Sequence, residues 1–241
     1  LDSQLRPYNL TLRHFPQSYE YSTLGGWIAT RSGGHYATNH THIDDFVESV
    51  RVITPTGIWE SRRLPGSGAG PSPDRIMIGS EGIFGIITEA WMRVQARPRF
   101  RASAGVIFSS FEAGAEASRL IAQAKLWPAN CRLLDPGEAS DAAGLDGIHA
   151  LLVIGFESAE IPQQDFMREA IELARQAGGT IEDSDIRISD ASESSTGRQG
   201  NIGEWRNSFL RAPYDRNLTM GLGVVAETLE TAITWDKWQN L

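Results

Sequence analysis

A stretch rich in glycine and hydroxyl residues, residues 22–34, has the composition of a site for a phosphate-bearing ligand. It reads Ser-Thr-Leu-Gly-Gly-Trp-Ile-Ala-Thr-Arg-Ser-Gly-Gly, with four glycines and an arginine among few apolar residues. Glycine lets the backbone turn with a positive φ and lets a ligand approach the main chain closely. Successive backbone N–H groups in such a turn form a concave anion site, which the start of a helix would strengthen. The stretch therefore predicts a loop that lies against a cofactor carrying phosphates.

A second cluster of the same character occupies residues 79–90, Gly-Ser-Glu-Gly-Ile-Phe-Gly-Ile-Ile-Thr-Glu-Ala. It runs directly into an apparent strand over Ile86 to Val94. Glycine and serine are also the usual residues of tight turns between strands, so a purely structural role is the alternative for both clusters.

Composition limits the classes of protein and partner. The chain has 241 residues, enough for one large domain or two ordinary ones, with 41% apolar and 22% charged residues, the balance of a soluble globular protein. The net charge of −8 argues against nucleic acid as the main partner, because phosphate backbones require a basic face. The single cysteine, Cys131, excludes an internal disulfide framework and favours a reducing compartment.

Targeting signals are not evident in the sequence. No apolar run approaches the ~18 residues of a membrane span. The first residues, Leu1 to Gln4, show neither an initiator methionine nor a charged-then-apolar signal pattern. We therefore expect a cytoplasmic chain that is part of a longer protein.

The pattern of predicted strands and helices around the two clusters changes near Arg97–Arg99, a predicted linker. Before it we predict an extended segment over 1–21, a hairpin of residues 47–53 and 58–60, a loop over 64–74 and a short helix over 75–78. After it we predict strands over 104–108, 130–134, 149–156, 180–183 and 222–227, helices over 111–126, 136–145, 162–177 and 202–210, and a loop over 184–200. This alternation favours an α+β sandwich with helices on one face of a sheet.

Several motifs in fixed order resemble a known family. They are S-T-L-G-G-W-x-A-T-R, I-x-D-x-V, T-P-x-G and G-S-E-G-x-x-G-I-I-T-E-A, followed in the second half by residues 132–135, 213–216 and 227–236. Together they resemble the FAD-linked oxidases of the vanillyl-alcohol-oxidase type, and within that type the alkyldihydroxyacetonephosphate (alkylglycerone-phosphate) synthases. Several ordered motifs at compatible spacing are a far more specific signal than one glycine pair.

The resemblance implies an α+β protein with FAD as its cofactor. Residues 1–97 would be the second subdomain of a PCMH-type FAD-binding domain, and residues 98–241 an incomplete ferredoxin-like cap domain that holds the substrate. The family's first subdomain carries a P-G-G-G-T-S loop for the diphosphate, and its C-terminal region carries a catalytic tyrosine and a histidine cluster. Neither is found in this sequence, so we expect an internal fragment of the enzyme.

Three segments match the family's FAD contacts and are called the three FAD segments below. They comprise Gln17, Ser18, Tyr19, Glu20, Tyr21, Ser22 and Thr23; then Thr30, Arg31, Ser32 and Gly33; then Glu81, Gly82, Ile83, Phe84, Gly85, Ile86 and Ile87. The resemblance places Thr23 near the reactive face of the flavin, as a catalytic residue.

Two arginines match functional positions of the family. The resemblance assigns Arg132 to activity near the flavin and Arg216 to the substrate phosphate, for which a planar guanidinium is well suited. For Arg132 a surface ion pair with Asp135 is the alternative. Glu227 and Glu230 are interpreted as structural, and Cys131 as a small apolar residue.

The histidines do not predict a metal site. His35, His40 and His42 lack a cysteine or carboxylate partner at ligand spacing. The pairs Gly34-His35 and Thr41-His42 depart from the family's usual residues beside the second FAD segment. They leave the identity of the substrate open.

The activity implied by the resemblance is the exchange of the acyl chain of acyl-dihydroxyacetone phosphate for a fatty alcohol, in ether lipid synthesis. The alternatives are an FAD-linked oxidase or dehydrogenase of a 2-hydroxy acid or alcohol, and a non-catalytic core fragment without bound FAD. The expected partner is a small-molecule or lipid substrate with a phosphate, and not nucleic acid. A peripheral membrane contact and a homodimer are left open.

Overall fold

Two of the three β-sheets in the described residues organise the chain. The computed structural model describes residues 1–40, 42–64, 68, 70–189, 200–225 and 228–240. One sheet has three strands and lies in the first region, residues 1–96; the other has four strands and lies in the second region, from residue 100 onward. The mixture of helices and sheets confirms the predicted α+β class.

The first region is built around an antiparallel three-stranded sheet. Its elements are α1 (Asp2–Leu5), β1 (Leu10–Thr11), α2 (Leu24–Ala29), β2 (Val47–Thr54), β3 (Gly57–Glu60), α3 (Asp74–Met77), β4 (Ile86–Met92) and β5 (Gln95–Ala96). Strand β2 lies between β3 and β4, and β1 pairs with β5. The predicted hairpin, short helix and strand after the second glycine cluster are thereby confirmed.

Two predictions for the first region are wrong. Residues 1–21 are not extended throughout, since α1 is followed by a 3₁₀ turn over Arg6–Tyr8 in which Pro7 occupies an early position that suits its fixed φ. The predicted loop over residues 22–34 contains the six-residue helix α2. Thr23 begins this helix, because its Oγ1 accepts a hydrogen bond from the Gly26 N–H at 3.1 Å.

The second region is a four-stranded antiparallel sheet covered on both faces. Its elements are β6 (Phe100–Phe108), α4 (Phe111–Gln123), β7 (Asn130–Leu134), α5 (Pro136–Ala143), β8 (Ala150–Ser158), α6 (Gln164–Gln176), β9 (Arg187–Ser189) and α7 (Gly200–Gly221). The strand order is β7-β8-β6-β9.

Alternate residues of β8 explain the two faces. Leu152 and Ile154 point into a core shared with α4 and α6, whereas Leu151 and Val153 point into a second core shared with α5 and α7. The sequence predicted helices on one face only, and this part of the prediction is wrong. Helices cover both faces of the sheet because strand β8 is apolar on both sides, as a strand buried between two layers must be.

The remaining differences lie at the end of the chain. The predicted strand over 180–183 is reduced to one bridge between Thr180 and Ile107, and β9 occupies that edge instead. Helix α7 continues to Gly221 through Pro213, well beyond the predicted end at residue 210. Residues 222–225 form no strand. Glu227 and parts of the predicted loops, residues 65–67, 69 and 190–199, lie outside the described residues.

The helices of the described ranges were compared with the requirements of a membrane span. Among them, none combines the length and the apolar character needed to cross a bilayer.

Candidate cofactor and substrate site

The three FAD segments lie side by side on one surface. Helix α2, which joins the first segment to the second, packs directly on β4, so that a Cβ added at Gly25 would lie 3.1 Å from the Ile87 carbonyl oxygen. The chain before β4 is held to the same helix, since Glu81 donates its N–H to the Ala29 carbonyl at 2.9 Å. Residues far apart in sequence are thereby brought into one continuous wall.

This wall is open to solvent. Each of its eighteen predicted residues is at least partly exposed. Three large apolar side chains of the third segment, Ile83, Phe84 and Ile86, are 79%, 46% and 71% exposed. Contiguous apolar exposure on a folded protein marks a surface that contacts a ligand or another protein surface.

The geometry fits the chemistry of FAD. Gly82 has φ = 84°, and a Cβ built on it would meet no heavy atom nearer than 4.0 Å, so its main chain can be approached closely. Hydroxyl groups of the first two segments can serve a diphosphate, and the exposed isoleucines can cover flat aromatic rings. The residues present therefore suit a dinucleotide cofactor.

Internal hydrogen bonds fix the first segment. The Ser22 Oγ accepts from the Trp27 Nε1–H at 2.6 Å and donates to the Ser18 carbonyl at 2.8 Å. Thr23 uses its oxygen to cap α2, while its hydroxyl hydrogen can still be donated outward. Thr23 thus has a structural role that accounts for its residue type, beside the catalytic role predicted for it.

The second segment is held by a buried carboxylate. Asp44, whose side chain is 3% exposed, pairs with Arg31 at 3.2 Å and also with Arg75. Arg31 adopts φ = 53°, an unfavourable conformation for a residue with a Cβ, and the ion pair fixes it there. Ser32 is bonded through its Oγ to the His14 Nε2 at 3.0 Å. The segment is rigid before any ligand binds.

Arg132 reaches the wall from the second region. It lies on β7 and donates from Nη2 to the Gly34 carbonyl at 3.3 Å, next to the second FAD segment. Its guanidinium lies 5.7 Å from the Trp205 ring and 5.3 Å from the Phe209 ring. Burial lowers the pKa of Arg132, against the opposing effect of Glu138 and Glu230.

The alternative ion pair between Arg132 and Asp135 is not observed in the described part of the chain. The Asp135 Oδ1 instead accepts from the Glu138 N–H at 2.9 Å and caps helix α5. The contact of Arg132 with the wall therefore explains its position better than a surface ion pair does.

Helix α7, which carries Arg216, contacts the first FAD segment through Tyr214. Tyr214, two residues before Arg216, donates its hydroxyl hydrogen to the Glu20 carboxylate, and its ring centroid lies 5.0 Å from that of Tyr21. The hydrogen bond to Glu20 raises the pKa of Tyr214. Arg216 itself is exposed. Arg132 thus contacts the wall from β7, whereas Arg216 lies two residues after the Tyr214 contact, about 200° further round helix α7.

Sequence reasoning missed the role of His35 at the junction of the two regions. The ring of His35 stacks on Trp205 at 5.0 Å, and its Nε2 lies 3.3 Å from the Asn130 amide nitrogen. Burial and the guanidinium groups of Arg132, Arg206 and Arg13 lower the pKa of His35 to about 3. The one indication of this role in the sequence was that the pair Gly34-His35 departs from the family's usual residues.

The other singled-out residues have separate locations. His40 lies against the Phe46 ring at 5.2 Å, and His42 precedes a 3₁₀ turn. Burial raises the pKa of the Cys131 thiol to about 11, and Cys131 packs against the core of the second sheet, in accordance with the apolar role predicted for it.

Comparisons with known proteins agree with this geometry. Residues 1–61 match the family "FAD binding domain", and residues 97–241 match the family "FAD linked oxidases, C-terminal domain". An alkyldihydroxyacetonephosphate synthase of Dictyostelium discoideum is 42% identical over 138 residues, which cover 57% of this chain and 23% of the relative. The synthase of Caenorhabditis elegans is 28% identical over 259 residues and covers 100% of this chain and 42% of the relative.

A solved structure gives the same result. The alkyldihydroxyacetonephosphate synthase in crystal form P1 superposes with a TM-score of 0.76 at 28% identity, over 99% of this chain and 48% of that chain. The chain therefore spans less than half the length of each of these proteins. The predicted family resemblance, with its FAD-binding and FAD-oxidase domains, is confirmed.

Proposed function

The chain belongs to the FAD-linked oxidases, and we propose that it forms one wall of an FAD site together with much of the domain that holds the substrate. We assign the wall to residues 1–97 and the substrate domain to residues 98–241. The observation that carries the proposal is the meeting of the two regions at the FAD segments. Arg132 contacts Gly34 beside the second segment, and Tyr214 contacts Glu20 in the first.

We propose that the reaction is the exchange of the acyl chain of acyl-dihydroxyacetone phosphate for a fatty alcohol. The likeness to alkyldihydroxyacetonephosphate synthases over the whole chain supports this choice. FAD, when bound, supplies an electron-accepting ring system beside the substrate. The residues of this chain bind the substrate, orient it and stabilise charge.

Arg132 is suited to stabilise a developing negative charge. Its hydrogen-bond partner in the described residues is a carbonyl oxygen, so its charge is not neutralised by a direct carboxylate contact. It is partly buried between two aromatic rings, where an electrostatic interaction is stronger than in water. Its fixed position also removes the cost of ordering it during the reaction.

Arg216 is suited to hold the substrate phosphate. It is exposed on the stretch of α7 that Tyr214 anchors to the first FAD segment. A guanidinium can engage two phosphate oxygens at once, which fixes the orientation of the substrate as well as binding it. Thr23 lies in the segment that Tyr214 contacts, where its hydroxyl can donate a hydrogen bond to the cofactor or substrate.

Oxidation of a 2-hydroxy acid or an alcohol is the second candidate. His35 favours this candidate, because it departs from the family pattern directly beside the second FAD segment. It also lies near Arg132 in the site. A change at this place would alter the substrate more readily than the cofactor.

An anaerobic assay separates the two reactions. The protein expressed from its complete reading frame is supplied with acyl-dihydroxyacetone phosphate and a fatty alcohol. Formation of the ether product without any electron acceptor supports the proposal. Turnover of a 2-hydroxy acid or alcohol that requires an acceptor, with no ether product, would contradict it and support the second candidate. A protein that carries no flavin absorbance and binds no added FAD would contradict both.

A further inference from the structure

A polar cavity that is partly open to solvent lies at the junction of the two regions, apart from the two arginines of the proposed reaction. Its volume is about 140 Å³. Its lining comes from both regions and includes Arg13, His35, Tyr36, Ser103, Asn130 and Arg206. Neither Arg132 nor Arg216 contributes to it. At ~30 Å³ for each water, the cavity has room for about four or five water-sized atoms, the size of a tetrahedral oxyanion.

Three uncharged side chains in its lining carry buried polar atoms that have no hydrogen-bond partner among the residues the structure describes. They are the His35 Nδ1, the Ser103 Oγ and the Asn130 Oδ1, on residues that are 6%, 7% and 5% exposed. Buried polar atoms are nearly always hydrogen-bonded in folded proteins, because leaving one unpaired is costly. Three such atoms around one cavity indicate a polar ligand.

The two ring nitrogens of His35 can be assigned from its neighbour. The Asn130 amide nitrogen faces the His35 Nε2 at 3.3 Å and donates to it in this orientation of the amide. The proton of the neutral imidazole then lies on Nδ1, which is the atom without a partner. His35 Nδ1 and Ser103 Oγ therefore offer two donors, whereas Asn130 Oδ1 offers an acceptor.

The charge of the lining favours an anion. Glu157 is the carboxylate in the lining, and it is bound at both oxygens by Arg13 in a pair whose side chains are 12% and 13% exposed. Its charge is thereby compensated inside the cavity wall. Arg206 adds a further cation from helix α7, and Arg101 also lines the cavity, whereas the guanidinium of Arg97 is paired with Asp2 at 3.1 Å.

We propose that this cavity binds a small protonated oxyanion, with hydrogen phosphate as the reference ligand. The oxyanion accepts hydrogen bonds from His35 and Ser103 and is attracted by Arg206. Its own hydroxyl group donates to the Asn130 Oδ1, which sulfate cannot do because it carries no proton at neutral pH. The site therefore discriminates phosphate from sulfate by a hydrogen bond rather than by charge.

Binding at this place connects the two regions. His35 follows the second FAD segment, whereas Ser103 and Asn130 belong to β6 and β7 of the second sheet. A bound oxyanion contacts both and stabilises their relative position. The inference is independent of the proposed reaction, because it concerns neither FAD nor the substrate arginines.

Calorimetric titration with inorganic phosphate and with sulfate tests the site in the complete protein. We expect phosphate to bind at least about tenfold more tightly than sulfate, the effect of one hydrogen bond to a charged group. Equal affinity for the two anions, or no heat from phosphate at millimolar concentration, would overturn the proposal.

Two matched pairs of variants locate the binding. Arg206→Gln should weaken phosphate binding at least about tenfold, whereas Arg211→Gln, on the same helix but outside the lining, should leave it within about twofold. Ser103→Ala should weaken it about fivefold to tenfold. Ser189→Ala is its control, because Ser189 is also buried and its Oγ has no hydrogen-bond partner among the described residues, but it does not line the cavity.

Both serine variants remove an unpaired buried group, so we expect them to fold. Equal phosphate affinity within either pair would contradict the assignment, and so would a loss of binding in Arg216→Gln with no loss in Arg206→Gln. A failure of the proposed reaction would leave these titrations unchanged, so the two proposals can fail separately.

Discussion

The two larger β-sheets of the molecule differ in how fully their apolar residues are covered, although each has a buried core. In the second region, Phe108, Ile121 and Ile154 are fully buried between β-sheet and helices. In the first region, Ile58, Ile83 and Ile86 are 73%, 79% and 71% exposed around the three FAD segments. The apolar residues of the second sheet are covered by helices of the same region. The first sheet instead presents an apolar surface that needs a ligand or a further protein surface to cover it.

Stability and cofactor binding are therefore concentrated in different parts of the molecule. A substitution in the core of the second sheet should act mainly on folding, because its side chains are closely packed. A substitution on the wall should act mainly on the binding of FAD. Paired substitutions in the two regions test that division.

Phe108→Ala and Ile83→Ala should separate the two regions most clearly. Phe108 is 0% exposed, so its truncation should lower the free energy of unfolding by about 3–5 kcal/mol. Ile83→Ala should change that free energy by less than about 0.5 kcal/mol, because the side chain is already in water. Urea unfolding measures the first effect and FAD titration the second. Equal losses of stability would contradict the division.

The junction between the regions should be sensitive to acid. Burial lowers the pKa of His35 to about 3, with Arg132, Arg206 and Arg13 adding to the shift, and lowers the pKa of His14 to about 4, with His42 adding to it. The unfolded chain binds protons near pH 6.5, whereas the folded chain does not, so stability falls as the pH falls below that value. By about pH 5 the loss should reach about 2 kcal/mol for each histidine.

A pair of variants tests whether His35 causes this pH dependence of the free energy of unfolding. His35→Phe should make the free energy of unfolding less dependent on pH between about pH 6.5 and 4. His149→Gln is the control, since His149 is 40% exposed and lies near the end of the loop before β8. A pH profile that is the same in wild type and His35→Phe would contradict the assignment.

Arg216→Ala should weaken the binding of the phosphate-bearing substrate. We expect KM to rise at least about tenfold, since a charge-assisted contact to a phosphate is lost, with a smaller change in kcat. Arg211→Ala, five residues earlier on α7, provides the control. Unchanged KM and kcat in Arg216→Ala would reject its role.

Tyr214→Phe should have the smallest effect. It removes the hydrogen bond to Glu20 but keeps the ring contact with Tyr21. Because the group is exposed to water, we expect KM for the substrate to rise only about threefold. Tyr8→Phe, at a tyrosine that is 75% exposed, should leave KM unchanged. An effect of Tyr214→Phe as large as that of Arg216→Ala would mean that Tyr214 contacts the substrate itself.

The same division explains how much could be predicted from the sequence. In the second region the periodicity of apolar residues gave the positions of β7, α6 and β8 to within two residues, because burial on a face determines which residues are apolar. The FAD segments were found from ordered motifs, since their residues are exposed and carry no periodicity.

What could not be predicted depends on contacts between distant residues. Helix α2 contains Gly25 and Gly26, which disfavour a helix by about 1 kcal/mol each, and it forms because it packs on β4. Helix α7 continues past Pro213, whose presence would ordinarily end it. The cavity depends on His35 meeting Asn130, 95 residues later in the chain. No local pattern contains that contact.

The most direct test is an FAD titration of two glycine variants in the protein expressed from its complete reading frame. Gly82 and Gly178 both have positive φ, 84° and 91°, and a side chain at either one would extend into open space. Substitution by valine therefore costs similar backbone strain at both, but only Gly82 lies in an FAD segment. We predict that Gly82→Val weakens FAD binding at least about tenfold and that Gly178→Val binds FAD like the wild type. Equal FAD affinity in the two variants would contradict the assignment of this wall to the cofactor.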